Sequence, residues 1–416
     1  MHSQLSRAFH WHWAGVAISQ LGSFFTLLAF PWLILQLYQN DSWRMALVLA
    51  VMGIPTSVLI LLGGALCDRF SSFRLLLLAR TGLLLLLLLL AAFIWQQQLS
   101  FPLLLLFAAS IGSLNALAMP ANQAILAQLV PAGDFGRANG LIMLTTQLAQ
   151  LLGPALAGWT LWWFSQHPLA ATQPLLGIAG AFVLEALGFA VAMLLMAPIR
   201  LQRPFQPALN PVWQSLWQGL QFCWQQPQFR LVLLYLLLVS FFIQGPLLVI
   251  LPVLSKLKLG LAANAFGSFY AMVGAGACLG AAMAMWRPVS DQKLGMLVLL
   301  ANAVGGLTLF SLSWLTQPWL IAMNLLIFGC SSGLVAVAGI HWFQRGAPAQ
   351  MLGRVMSILL FCVIGLLPAS AALAGWLLQK TGLDQLCQSI GLVVVLIACG
   401  GMFLSQLRNM GQMQAE

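Results

Sequence analysis

The sequence predicts an all-α integral membrane protein whose twelve transmembrane helices form two pseudo-symmetric bundles of six. Three observations lead there. Of 416 residues, 61% are hydrophobic and only 6% are charged, whereas an average soluble domain carries about 25% charged residues. Apolar runs of about 20 residues recur along the chain, the length a helix needs to cross roughly 30 Å of hydrocarbon. The pentapeptide ALAGW occurs at 155–159 and again at 372–376. Each copy follows a Gly-Arg pair (Gly136-Arg137, Gly353-Arg354) and a helix-length apolar stretch. A block written twice, about half a chain apart, marks an internal duplication.

Polar breaks divide the apolar sequence into spans at 12–37, 45–66, 75–95, 101–130, 140–165 and 175–197. The second set covers 230–254, 264–286, 294–315, 319–343, 356–379 and 387–405. Each is read as helix because lipid offers no partner for open backbone groups. Residues 1–197 are expected to form the first bundle and 230–416 the second. Between them, 198–229 is the longest polar interval. Pro198, Pro204 and Pro207 interrupt its start, and Trp213, Leu216, Trp217, Leu220 and Trp224 then recur at helical spacing. That pattern predicts an amphipathic helix lying in the cytoplasmic interface with tryptophans at headgroup depth.

If the N-terminus is cytoplasmic, thirteen Lys and Arg residues, Arg80 and Arg137 among them, fall on the inner side and four (Arg44, Lys256, Lys258, Lys380) on the outer. This bias predicts that both termini are cytoplasmic. It also accounts for the net charge of +10 without nucleic acid, since the basic residues are scattered over short loops. The start, Met1 to His12, is polar and does not read as a cleavable signal. The seven cysteines lack metal-ligand spacing and read as small apolar residues, while His10 and His12 in HWHW read as interfacial anchors. No metal or other cofactor is expected.

The stretch GGALCDRFSSFR (63–74) is similar to the loop after the second span in the major facilitator superfamily, with Gly64, Leu66, Asp68, Arg69 and Arg74 matching. LLGPALAG (151–158) resembles the Gly-Pro signature of its proton-coupled antiporters, with Ala157 in place of one Gly. MPANQAILAQLVPAGDFGRANGL (119–141) and LGLAANAFGSFYAMVGAGACLG (259–280) are similar to the branch of bacterial enterobactin-type and macrolide-efflux exporters. The resemblance covers almost the whole chain and implies the two-bundle transporter fold. It also implies that Asp68, with Arg69, Arg74 and Gly64, latches the cytoplasmic side when the cavity faces outward. The second half has no acid at the matching place, where Met285 stands, so the latch is expected to be asymmetric. The arginine common in span four of such exporters is absent here.

Glu185, in AFVLEALGF, is the one carboxylate deep inside a span. Ionised and unpaired near mid-bilayer, it would cost at least a few kcal/mol. A carboxyl whose ionisation follows solvent access suits proton coupling, and Asp68 is the second candidate. The alternative is a protonated carboxyl bonded to a neighbouring helix. Gly153-Pro154 should bend span five, and Gly158 allows a facing helix close approach. In the second copy Ser370-Ala371 stands there, so the bend is expected in one half only. Polar and aromatic groups on apolar spans (Gln20, Phe24, Asn115, Gln147, Gln150, Gln244, Tyr270 and Asn324) are candidates for a substrate cavity, polar but nearly uncharged.

These readings predict a monomeric secondary transporter of the bacterial inner membrane. It would export a hydrophobic or amphipathic small molecule, drug-like or siderophore-like, by alternating access, with the proton gradient as energy source. The sequence has no Gly-x-x-x-x-Gly-Lys-Ser/Thr phosphate loop for direct ATP use. The alternatives are a facilitator, importer or lipid transporter of the same fold, or a membrane-embedded enzyme or sensor. An enzyme should bring a nucleophile, base or metal ligands together, and Glu185 alone does not.

Overall fold

The computed structural model describes residues 6–69, 71–130, 134–168, 174–199, 212–286, 291–348 and 351–410. The first half contains α1 (Arg7–Leu37), α2 (Ser42–Arg69), α3 (Ser72–Trp95), α4 (Phe101–Leu129), α5 (Phe135–Ser165) and α6 (Leu176–Met196). After α7 (Val212–Gln225) come α8 (Pro227–Val253), α9 (Ala263–Trp286), α10 (Asp291–Ser311) and α11 (Pro318–Gly346). The last long elements are α12 (Leu352–Leu360), α13 (Leu367–Thr381) and α14 (Leu383–Phe403). A π-helical turn, Leu254–Lys258, extends α8, and another, Phe361–Gly365, joins α12 to α13. With that join counted as one span, twelve helices among the described residues are long and apolar enough to cross a membrane.

Two compact units result. One comprises Met1–Asp41, Val51–Asn210 and Ala262–Gly267, and the other Ser42–Ala50, Pro211–Leu261 and Ser268–Glu416. In the first, α6 packs against α1, α3 and α5, while α3 also packs on α4 and α1 on α5. In the second, α14 packs against α8, α10 and α13, while α10 also packs on α11 and α8 on α13. The pairing scheme is the same with each helix replaced by its counterpart, as a duplicated six-helix gene requires.

Small residues set the close approaches. A Cβ placed at Gly276 or Gly280 of α9 would overlap the carbonyl oxygens of Leu326 and Cys330 on α11. A Cβ at Gly329 or Gly333 of α11 would overlap those of Val273 and Ala277. Two Gly-x-x-x-Gly faces therefore interlock, each removing the side chains that would hold the backbones apart.

The duplicated pentapeptide does the same work in each unit. In the first unit, a Cβ on Gly158 would meet the Ala263 carbonyl oxygen at 2.7 Å and Gly267 Cα at 2.8 Å. In the second, a Cβ on Gly375 would overlap Ala46 Cβ. Each ALAGW glycine thus admits the opening turns of the second helix of a six-helix set.

Helix α7 docks on α12. A Cβ at Gly219 would sit 2.9 Å from Arg354 Cβ, Cys223 is buried, and Arg354 Nη1 donates to Gln218 Oε1 at 2.6 Å. Trp217, Leu220 and Trp224 remain exposed on the other side. Trp213 and Leu216 lie outside the residues whose side chains are described. One end of the second unit is tied by Lys258, whose Nζ meets Asp384 Oδ1 at 2.7 Å and donates to the carbonyl oxygens of Leu312 and Ser313.

Candidate functional site

On α1, Gly15, Ser19, Gly22 and Thr26 follow one another at intervals of four, three and four, which places them on one helix face. That face makes room for two long ionisable side chains inside the first unit. A Cβ at Gly22 would sit 3.5 Å from Glu185 Cγ, and one at Gly15 would sit 3.1 Å from the Ala192 carbonyl oxygen and 3.5 Å from Arg80 Nη1. Glu185 on α6 is only 2% exposed and accepts a hydrogen bond from Thr26 Oγ1 at 2.5 Å. Arg80 on α3 is 1% exposed. Its Nη2 donates to Ser19 Oγ at 3.1 Å and toward the Gly15 carbonyl at 3.5 Å, and its Nη1 is directed at Met196 Sδ. Ser19 and Thr26 are two turns apart, about 10 Å of helix rise. The two buried ionisable side chains therefore occupy separate levels of one polar axis.

His12 continues this axis. It is fully buried, near Arg80 and the Asn122 backbone, yet neither ring nitrogen makes a hydrogen bond of ordinary geometry, nor does Asn122 Oδ1. Two expectations are corrected here. Arg80 is not a loop charge at the inner side, because α3 begins at Ser72 and carries it into the bundle, where Gly15 and Ser19 supply space and acceptors. His12 is not an interfacial anchor, because α1 begins at Arg7 and turns it inward. His10 does stay exposed, its Nδ1 3.0 Å from the Ser6 carbonyl oxygen. The spacing of small and hydroxyl residues on α1 was the available signal for the axis.

Gly64, Asp68 and Arg69 lie on α2, but their side chains fall outside those described, while Arg74 is exposed on α3. Pro154 is buried inside α5 and its carbonyl oxygen faces Gly267. Gly153 lies beneath the Phe24 ring, which a Cβ there would overlap. The second copy carries a helical irregularity of its own, the π turn Phe361–Gly365, one turn before Pro368, whose ring and missing N–H disturb the preceding turn.

The cavity candidates separate. Gln20 Nε2 donates to Thr146 Oγ1 at 3.1 Å, binding α1 to α5, and Asn324 Nδ2 donates to Ser311 Oγ at 2.6 Å, binding α11 to α10. Asn115, Gln147 and Tyr270 are half-buried, and Gln150 is exposed. Gln244 lines a cavity of about 230 Å³ inside the second unit, bounded by α8, α10, α11, α12 and the second π turn. Ser240, Asn302, Ser331 and Ser332 join Gln244 there as the polar lining. These four carried no sequence signal, since single hydroxyls and amides on apolar spans serve helix packing equally well.

The sequence profile described as Major Facilitator Superfamily matches residues 13–366. The chain belongs to the Major Facilitator Superfamily. It is therefore a multi-pass membrane transporter in class. It is 27% identical over 323 residues to a protein named Enterobactin exporter EntS from Shigella flexneri, covering 77% of this chain and 73% of that one. The protein of the same name from Escherichia coli O1:K1 / APEC is 27% identical over 329 residues, with the same coverage. Among solved structures, a D-xylose-proton symporter superposes with a TM-score of 0.71 at 15% identity, covering 98% of this chain and 99% of that one. A mutant of the nucleoside transporter NupG gives 0.74 at 11% identity, covering 96% and 99%. At these identities the structures establish the fold alone.

Proposed function

We propose that the chain is a secondary active exporter of the bacterial inner membrane, with both termini cytoplasmic, moving a hydrophobic or amphipathic small molecule outward by alternating access. Proton entry supplies the energy, and Glu185 is the group that carries the proton. The observation behind this reading is a carboxyl 2% exposed inside a wholly apolar helix, held by one hydroxyl. A group so placed changes charge only when a conformational change admits water or a partner. The direction of transport is drawn from relatives that bear the name of an enterobactin exporter. Asp68, with Gly64, Arg69 and Arg74, is assigned the latch that alternates with cavity opening. One copy of the chain suffices for this scheme.

The test is a pH jump across proteoliposomes preloaded with a fluorescent amphipathic dye. Dye movement should accelerate severalfold with an inward proton gradient and lose that dependence in Glu185→Gln. Dye transport that ignores the gradient in the unaltered protein rules out antiport. Asp68→Asn should slow transport in both pH conditions, because a latch serves every cycle.

A further inference from the structure

We infer that the cavity inside the second unit is a binding site for an uncharged, ring-sized moiety with one hydrogen-bonding edge. The inference rests on the transporter reading above and gives that reading a cargo chemistry. At about 230 Å³, the cavity exceeds the roughly 150 Å³ that accommodates benzene in a protein core and far exceeds the need of one water. It suits a substituted or fused aromatic ring. Among the described residues that line it, none carries a charge. An ionised guest would therefore leave water without a counter-charge, which the membrane interior penalises heavily.

The polar part of the lining comes from α8, α10 and α11, which also contribute apolar residues such as Leu236 and Phe328. Ser240 and Gln244 are one turn apart on α8, Asn302 is on α10, and Ser331 and Ser332 are on α11. Asn302 donates its amide N–H to the Val298 carbonyl at 3.0 Å, and Ser331 donates its hydroxyl to the Phe328 carbonyl at 2.7 Å. Both keep acceptor oxygens for a guest N–H or O–H. The contribution of α12 and the π turn is purely apolar: Met356, Leu359, Leu360 and Val363. Methionine adapts to rings of different outline. The polar residues sit near the middle of their spans, the depth at which transporters of this architecture bind cargo. Val363 belongs to the π turn, a form of helix that recurs at functional sites. A guest would therefore press on the irregular segment of span eleven.

Gly339 allows a clean test. It lines the cavity, and a Cβ built on it meets nothing within 4 Å. A side chain at Gly339 therefore starts without a clash at its Cβ, so Gly339→Leu narrows the space from α11 and Met356→Trp narrows it from α12. The experiment is equilibrium dialysis of tritiated 2-naphthamide against the full chain in lipid nanodiscs, with empty nanodiscs subtracted. Expected is saturable binding of one 2-naphthamide per chain, weakened at least tenfold by either substitution. Tritiated 2-naphthoate, the same ring with a charge, should bind at least tenfold more weakly than the amide. Naphthalene should bind Asn302→Leu as it does the unaltered chain, while 2-naphthamide loses affinity. Undiminished amide binding in both narrowed variants, or naphthoate binding as well as naphthamide, overturns the inference. No proton gradient enters the measurement. Failure here beside intact pH-driven transport removes the cavity alone, and binding beside gradient-independent transport removes antiport alone.

Discussion

Arg80 is a guanidinium deep in a helical bundle, held by a hydroxyl, a carbonyl and a thioether, none of them charged. Burying a charge on such terms costs several kcal/mol after relaxation, and an apolar residue of similar length would pack there without that penalty. Arg80→Met should therefore leave unfolding stability unchanged or raise it by about 1–4 kcal/mol, while depressing transport. Denaturation followed in detergent checks this. A loss of about 3 kcal/mol or more, the size seen when half of a buried ion pair is removed, would mark Arg80 as structural instead. Glu185→Gln keeps an oxygen that Thr26 Oγ1 can reach, so it should cost less than about 1.5 kcal/mol, the worth of an ordinary hydrogen bond. The two ionisable residues differed in legibility. Glu185 stood out as the one carboxylate deep in a span. Arg80 was hidden among the thirteen basic residues expected on the inner side, because a charge count treats an arginine in the third turn of a helix like one in a loop.

Helices α9 and α11 meet backbone to backbone through Gly276, Gly280, Gly329 and Gly333, and a methyl at any of them would have to displace a carbonyl group. Gly280→Ala or Gly329→Ala should destabilise the protein by about 1–3 kcal/mol, the usual cost of overpacking. Gly400→Ala on α14 is the control. A Cβ there meets nothing within 4 Å, so the substitution should gain about 0.5–1 kcal/mol from reduced chain entropy. Equal effects at the two kinds of site, measured by chemical denaturation, would dismiss the interlocked faces. The glycines of α9 were visible in the sequence, but their partners were not, since periodicity places a residue on a face without saying what meets that face. The π turn in span eleven was equally hidden. An extra residue inserted among apolar neighbours leaves the run apolar, and only Pro368, one turn later, marked the place.

The number of helices and their duplication could be read from the sequence because two physical limits fix them: hydrocarbon thickness sets the span length, and lipid forbids unpaired backbone. How the opening turns of α2 and α9 are held could not be read, since Ala46 and Ala263 look like any other small apolar residue. The two ALAGW copies now connect them. Gly158 admits α9 at Ala263 and Gly267, and Gly375 admits α2 at Ala46. Ala46 is fully buried and Ala263 is 3% exposed, so a cysteine at either position should resist N-ethylmaleimide in the membrane. Gly158→Leu should expose Ala263→Cys and leave Ala46→Cys protected, while Gly375→Leu should do the reverse, each raising the labelling rate at least tenfold. The crossed design separates a specific seat from general loosening, which would expose both cysteines together. If either leucine exposes both sites or neither, the repeated pentapeptide is a remnant of ancestry and not a pair of working joints.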